Sequence, residues 1–473
     1  FISEGIYVST DAGASWYGSD TCKGSPINFH GGDPGIAIDK DGTFILTRLG
    51  RQPFDGLYSH YSTDNGITWS NQVTISTDLL ERATTHSDGD PSSPYYGRTY
   101  AAWVKFTPPY PISLSYTTTG GQSWTTPMAI NNPPQRCYGG ELAVGLGGRL
   151  SVTWAGVQNT SPFTEIHVGF ASSTTGGQTF NVTENAFNMN GIQGFLPDKN
   201  GIRVNGLPRI AVDNTTGPRS GWIYIVTTQK NLAPAGTDPD IILNRSTDGG
   251  QTWQSAVRVN QDPLNNGKTQ FFPALTVDHE GGLNIIYYDD RMTTNDSSGV
   301  YLSRSTDGGF TFQDHIISNH NLEPRPISGG GQGYQGDNIS ITSLGDVLWA
   351  TWMDNSINDN YQIWAAPIDI NSISVNNIGT QIPGVFELKQ NYPNPFNPST
   401  KIGYDIKKAG IVTLKVYDMN GKEISELVNK NHQPGYYEVD FAAGITGNLS
   451  SGVYFYTIQT GEFKLTKSMV LLK

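Results

Sequence analysis

Cysteine is nearly absent: Cys22 and Cys137 are the two in 473 residues. Such a count excludes a small disulfide-stapled scaffold. Both fall at the same phase of the repeat described below, which leaves a bridge between them and a pair of free thiols both open. Long apolar runs are missing too. No stretch approaches the ~20 apolar residues of a membrane-crossing helix. Phe1-Ile2-Ser3-Glu4-Gly5 has neither the basic head nor the apolar core of a signal peptide. The eight histidines show no zinc-type spacing. Charged residues make only 15% of the chain, and acids outnumber bases, 42 to 30. The imbalance lies upstream of residue 385, because residues 385–473 carry ten lysines against eight acids. An acidic body of this kind argues against a nucleic-acid partner.

Glycine is what the chain has in quantity: 55, alongside 23 tyrosines and 10 tryptophans. That composition suits many short strands joined by turns. The glycines punctuate an octet, Ser246-Thr247-Asp248-Gly249-Gly250-Gln251-Thr252-Trp253. It recurs at 9–16, 62–69 and 305–312, and the copies at 117–124 and 173–180 carry Thr119 and Thr175 in place of the acid. The six copies fall roughly 55 to 75 residues apart, a period of propeller blades or a similar array. A short apolar strand precedes each copy, as at 57–61 or 241–244, and another follows, as at 72–76 or 256–260. The octet is therefore a hairpin turn. Its acid (Asp11, Asp64, Asp248, Asp307) accepts backbone N–H groups as Asx turns do. A glycine supplies the positive φ. Its aromatic residue (Trp16, Trp69, Trp124, Trp253 and two phenylalanines) packs the turn down. In the acid-free copies a threonine hydroxyl is expected to make a weaker version of the same bond.

This octet resembles the Asp box, or BNR repeat, of sialidases and related β-propellers. Eight aligned positions repeated six times carry the resemblance, which covers residues 1–370. It implies boxes at the turn between the third and fourth strands of each blade, at the periphery and away from any substrate. Six pairs of inner strands are expected, and a last strand at 361–368 has no octet after it. The fold class expected is all-β, with two arrangements open. One is a six-bladed propeller whose N-terminal strand completes the sixth blade. The other is a seven-bladed propeller whose seventh blade has its inner strands upstream of Phe1. The first is favoured, because the last unit lacks an octet and the N-terminal segment supplies one.

Residues 371–384 read as a linker, after which the composition changes. From Asn391-Tyr392-Pro393-Asn394-Pro395-Phe396-Asn397-Pro398 onward, alternation at 412–416 and 453–457 is strand-like. About seven short strands in ~90 residues suggest an Ig-like β-sandwich following the propeller. The proline-rich opening, Ser451-Gly452-Val453-Tyr454-Phe455-Tyr456 and Lys467-Ser468-Met469-Val470-Leu471-Leu472-Lys473 resemble the type A C-terminal sorting domain of the type IX secretion system. The resemblance covers essentially all of 385–473. It implies the secretion machinery as a partner, export across the outer membrane, and residence at the cell surface or outside the cell.

In a propeller, residues before each first strand and after each second strand crowd one funnel. That register selects Asp33, Asp88, Asp90, Glu141, Arg209 and Asp337 from the first group. From the second it selects Arg48, Arg51, Lys105, Trp154, Lys230, Asp289, Asp290, Arg291, Asp354 and Asn355. Mixed acids, arginines and a tryptophan suit a carbohydrate or an anionic sugar. The sialidase resemblance implies three arginines on one carboxylate, gripped bidentately, with an acid and an activated tyrosine beside a glutamate. Arg48, Arg209 and Arg291 are the arginine candidates; Asp33, Glu141 and Tyr288 are the others. Trp154, Asp289, Asp290, Asp337 and Asp354 are expected to contact ligand. The chain departs from the sialidase pattern, in which Arg-Ile-Pro stands near the start of the propeller; here Arg209-Ile210-Ala211 lies in the fourth unit. No cofactor is expected. The turns Asp39-Lys40-Asp41-Gly42 and Asp278-His279-Glu280-Gly281-Gly282 have calcium-loop composition but too few ligands for a full site. Two functions stay open. One is a surface or extracellular propeller that binds glycans or proteins or builds an assembly, self-assembly included. The other is a glycan-cleaving enzyme of the sialidase superfamily.

Overall fold

The computed structural model describes residues 5–19, 30–293, 296–327, 333–370, 376–379, 383–432, 434–442, 449–461 and 463–472. The protein is all-β, and it divides into two compact units. One is Phe1–Ser343 with Trp349–Pro367; the other is Leu344–Leu348 with Ile368–Lys473.

The larger unit is a succession of antiparallel meanders. Sheet one runs His30–Ile38, Phe44–Gly50, Gly56–Ser62 and Val73–Ser76. Sheet two runs Leu80–Ser87, Thr99–Lys105, Ile112–Thr117 and Met128–Ala129. Sheet three is Cys137–Gly145, Arg149–Val157, Glu165–Ser173 and Asn181–Asn188. Sheet four is Arg209–Val212, Ile223–Gln229, Asp240–Ser246 and Val257–Arg258. Sheet five is Gln270–Val277, Leu283–Asp289, Gly299–Ser305 and Gln313–Ile316. Sheet six has three strands, Ser340–Leu344, Val347–Asp354 and Gln362–Asp369.

The middle strands are apolar on both faces, because each face meets a neighbouring sheet. Ala102 and Val104 of sheet two share a core with Leu142 and Val144 of sheet three. Phe170 packs with Ile210 and Ile223 of sheet four, and Tyr224 and Leu243 pack with Leu283 and Ile285 of sheet five. Burial of both faces is what strands without polar alternation require.

Five of the octets join third to fourth strands, and the first joins the two strands Ile6–Val8 and Tyr17–Ser19. In Ser246–Trp253 the Asp248 carboxylate accepts the Thr252 N–H at 2.9 Å and the Thr252 hydroxyl at 2.5 Å, and Ser246 Oγ accepts the Gly250 N–H at 2.8 Å. These bonds hold the Asp11, Asp64 and Asp248 carboxyls down at about 2. In the acid-free copies Thr119 and Thr175 hydroxyls accept the Ser123 and Thr179 N–H groups at 3.0 and 2.9 Å. Each octet also reaches the sheet before its own. Trp124 Nε1 donates to Ser59 Oγ of sheet one at 2.8 Å, and Trp253 meets Phe170 of sheet three edge-on at 5.3 Å.

Ile6–Val8 pairs with Tyr17–Ser19 and, among the described residues, with nothing in sheet six. The expected completion of the sixth sheet by the N-terminal strand is therefore not found. The octet between these two strands explains why. Its Trp16 packs on Trp349 of sheet six at 6.2 Å, as octets do on the preceding sheet. On its other side, Tyr17 Oη donates to the Asn65 carbonyl of sheet one at 2.8 Å. The half-sheet thus lies between sheets six and one.

Both turns with calcium-loop composition are capped from within. Asp39 accepts the Asp41 and Thr43 N–H groups, and Asp278 accepts those of Glu280 and Gly282. Cys22 lies outside the described residues. Cys137 is buried beside Asn131, and burial pushes its thiol up to about 12.

The smaller unit has two four-stranded antiparallel sheets around one core of Ile402, Leu414, Val439, Tyr456 and Met469, among others. Within the expected linker, residues 376–379 pair with Gly435–Ala442. The proline-rich opening is anchored at Phe396, which exchanges backbone bonds with the last strand through Val470 and Leu472.

Candidate functional site

The first strands of sheets one, two, three and five share an irregularity. Each breaks register near its start: between Gly32 and Gly35, Glu81 and Thr84, Tyr138 and Gly140, and Phe271 and Ala274. Inside each break one residue is left-handed: Asp33 (φ 48°), Arg82 (48°), Gly139 (63°) and Phe272 (52°). A bulge re-aims the side chain it carries. For a residue other than glycine this backbone is costly and persists only where the surroundings hold it.

At Arg82 the restraints are specific. Its N–H donates to Asp33 Oδ2 at 3.1 Å, Nη1 to Asp337 Oδ2 at 2.6 Å, and Nη2 to Asn338 Oδ1 at 3.3 Å. Asn205 Nδ2 donates to the same Asp337 oxygen at 2.9 Å. Arg209 pairs with Glu141 at 2.8 Å and reaches Asn338 at 3.2 Å. Arg51 faces Glu81 at 4.0 Å, and Arg203 stacks on Tyr334 at 4.9 Å. Arg82 and Asp337 are enclosed yet still 15% and 16% exposed.

Burial pushes the Asp33 carboxyl above the usual carboxylate range, against the pull of Arg82. Burial, with the Asp33 charge beside it, does the same to Glu81. Burial also acts on Asp337, but Arg82 and Arg209 outweigh it and hold that carboxyl low. The cluster therefore combines permanent cations, a fixed anion and two carboxyls that exchange protons closer to neutrality. It is equipped to receive hydroxyl and acidic groups, and to pass a proton.

Five sequence-derived candidates meet here: Asp33, Arg51, Glu141, Arg209 and Asp337. The others do not. Arg48 is buried within sheet one, where it donates to His60 and Gln72. Arg291 is held in sheet five by Asp289 at 2.6 Å and Asp314 at 2.5 Å. The expected convergence of three arginines is thus replaced by one arginine of the three, because Arg48 and Arg291 neutralise acids or bond polar groups of their own sheets. Tyr288 is fully buried; its hydroxyl donates to the Met353 carbonyl at 2.9 Å and accepts the Met353 N–H at 3.0 Å. Burial drives that phenol far above its ordinary range, which suits a strut between sheets five and six. Trp154 is fully buried in the core of sheets two and three. Asp290 is paired with buried Lys199 at 2.6 Å, and Asp354 accepts from Trp352 and bonds His320.

Glu81, Arg82, Asn205 and Asn338 were not selected from the sequence. Leu80–Ser87 hides its strand character, since only Leu80 and Ala83 are apolar in it. Arg82 takes in the bulge of sheet two the place that Asp33, 49 residues earlier, takes in sheet one.

The two units carry different identities. The larger defines an all-β exported body with a charged cluster. Residues 390–472 match the family described as secretion system C-terminal sorting domain. That segment marks the chain for export by the type IX system to the cell surface or the extracellular space. No curated protein matches the chain. Among solved structures it is similar to a protein of unknown function from Dyadobacter fermentans, at 14% identity and TM-score 0.45, over 73% of this chain and 96% of that one. It is similar to a family PL25 ulvan lyase at 11% identity and TM-score 0.45, over 76% and 82%. It is also similar to the α-L-arabinanase of Penicillium chrysogenum at 13% and 0.43, over 71% and 92%. Among the described residues no helix is long and apolar enough to cross a membrane.

Proposed function

We propose that the chain is an exported Asp-box β-propeller whose cluster around Arg82 binds an extracellular glycan. One observation carries this reading. Asp33, Glu81, Arg82, Glu141, Arg209 and Asp337 come from five separate sheets or their approaches, Asp33 and Arg82 on bulged backbone, and keep contact with solvent. Tyr138 and Tyr334 add rings with an apolar face and a polar tip, the combination sugars take. In the same reading the ring has seven places. Octets pack on the preceding sheet, so the half-sheet that packs on sheet six occupies a seventh place with its third and fourth strands alone. The smaller unit is its Ig-like sorting sandwich, addressed to the type IX machinery.

A second reading, glycan cleavage, is favoured by the raised carboxyls of Asp33 and Glu81, which could serve as proton donor and acceptor. A glycan array with the exported chain and its Arg82→Lys variant tests the first reading. Lysine keeps the charge but loses the bidentate fork, and binding is expected to fall about tenfold, equivalent to about 1.4 kcal/mol. Undiminished binding by a folded Arg82→Lys protein overturns the assignment of the site. Incubating the bound glycans and measuring new reducing ends separates binding from cleavage. Cleavage abolished by Glu81→Gln supports the second reading.

A further inference from the structure

A cavity of about 470 Å³ lies at the junction of sheets one and two, on the side of the octets, lined by Tyr61, Tyr95, Tyr96, Lys40, Asp41 and Gln122 among others. It lies where the short turn of sheet one leaves the space under the next octet open. The first two strands of sheets two and four are joined by long turns, Asp88 to Arg98 and Asp213 to Trp222. Each brings an arginine and an aromatic ring up under the next octet. A Cβ at Gly176 would lie 2.5 Å from Arg98 Nη1 and 2.6 Å from the Tyr95 ring. At Gly308 it would lie 2.6 Å from Arg219 and 2.9 Å from Trp222. In sheet one the turn closes directly from Asp39 to Thr43. At the matching Gly120 the nearest atom to a Cβ is an Asp39 carboxylate oxygen at 3.3 Å, and no arginine or ring fills the space.

The lining is chemically distinctive. Tyr96 is 39% exposed, and Tyr61 and Tyr95 are half-buried. One face of Tyr95 is covered by Arg98. The Lys40 stem packs on Gly97, and its ammonium is paired with Asp41 at 2.9 Å. Charge in the cavity is thus balanced, while hydroxyl, amide and ring surfaces remain presented to solvent. The volume falls in the range of small-ligand sites, and a mainly polar lining with a few rings suits a saccharide better than an apolar ligand.

We propose that this cavity is a second saccharide site, which takes a short neutral glycan unit between the tyrosine rings and the Gln122 amide. The balanced Lys40–Asp41 pair favours a neutral ligand over the acidic ligands that the arginine cluster can accept. The site does not depend on the Arg82 reading, since no residue is shared.

The test is saturation-transfer NMR on the full chain, using as probes neutral di- and trisaccharides of glucose, galactose, mannose and arabinose. The proteins are the unaltered chain, Tyr96→Ala, Thr63→Trp and Arg82→Lys. Tyr96 and Thr63 are exposed, so both variants should fold, and circular dichroism checks that they do. At least one probe is expected to bind. Tyr96→Ala removes a ring and Thr63→Trp fills the cavity; each is expected to weaken that binding about tenfold or more. Arg82→Lys is expected to leave it unchanged. The proposal fails if no probe binds, or if binding survives both cavity variants. Loss in Arg82→Lys alone transfers the ligand to the other site and also overturns the proposal.

Discussion

The first strands of sheets three and one have the same place in their meanders and opposite surroundings. In sheet three, Leu142, Ala143 and Val144 are 3%, 6% and 5% exposed, so both faces are covered by neighbouring sheets. In sheet one, Ala37 is buried toward sheet two, but Ile36 and Ile38 on the other face are 56% and 55% exposed. The bare face is the one turned away from sheet two. Strand pattern alone would treat the two strands alike; the neighbour on each side decides what a residue is worth. The largest effect should therefore separate these strands. Leu142→Asp places an unpaired charge in a closed core and should cost about 4 kcal/mol or more, enough to unfold or aggregate the chain. Ile36→Asp should change stability by less than about 1 kcal/mol. Urea denaturation followed by fluorescence measures both. An equally large cost at Ile36 would mean that this face is covered in solution, and the comparison would collapse.

The same two strands contribute Asp33 and Glu141 to the charged cluster, and there they are alike. Both acids face arginines from another sheet. Removing an arginine leaves charges without a counterion, so Arg82→Ala should cost about 3 kcal/mol, and Arg82→Lys clearly less. Asp337→Asn in the Arg82→Ala background should then restore part of the loss, because the abandoned anion is gone. If the double variant is no more stable than the single one, Arg82 acts through packing and not through charge.

Much of this architecture was legible from the chain. The octets repeat a local hydrogen-bond scheme that needs only Ser or Thr, Asp, Gly and an aromatic ring in fixed order, so eight residues suffice to reveal it. The sorting segment is legible for the same reason. The half-sheet was misread because octets were assigned to their own sheets, whereas Trp16, Trp124 and Trp253 pack on the sheet before. At the site, Asp33, Arg51, Glu141, Arg209 and Asp337 follow from repeat phase. Arg82 escaped because its strand lines the cluster and carries polar residues on a face that usually advertises a strand. Tyr288 and Trp154 were assigned to the funnel although burial on both faces makes them core, and a one-residue change of register moves a side chain to the other face.

Titration should divide the cluster from the octets. Asp33 and Glu81 have folded-state pKa values raised above those of the unfolded chain. Their contribution to stability is full below the unfolded value and is lost as pH rises through the raised one. Asp64 and Asp248 are lowered to about 2. Their contribution is present above the unfolded value near 3.8 and is lost as pH falls toward 2. Melting temperature against pH should therefore fall on both sides of a weakly acidic optimum. Asp248→Asn should flatten the acid limb only, and Glu81→Gln the alkaline limb only. Each limb surviving its variant unchanged would assign it to other groups.

The smallest effect concerns why one octet lacks its acid. Gly249, the residue after Asp248, stands over a cation: a Cβ there would lie 2.9 Å from Arg149 Nη1. Thr119 stands beside Gly120, over the Asp39 carboxylate of sheet one. Restoring the acid with Thr119→Asp improves the turn bonds locally but sets two like charges together. The net change is expected to be a loss of a few tenths of a kcal/mol, since Thr119 is exposed and Asp39 only half-buried. Asp39→Asn keeps an oxygen to cap its own turn and removes the repulsion, so in that background Thr119→Asp should become neutral or stabilising. High salt should have the same effect, because exposed charges are screened. A Thr119→Asp chain that is more stable than the parent at low salt would show that repulsion from Asp39 is not what kept the acid out.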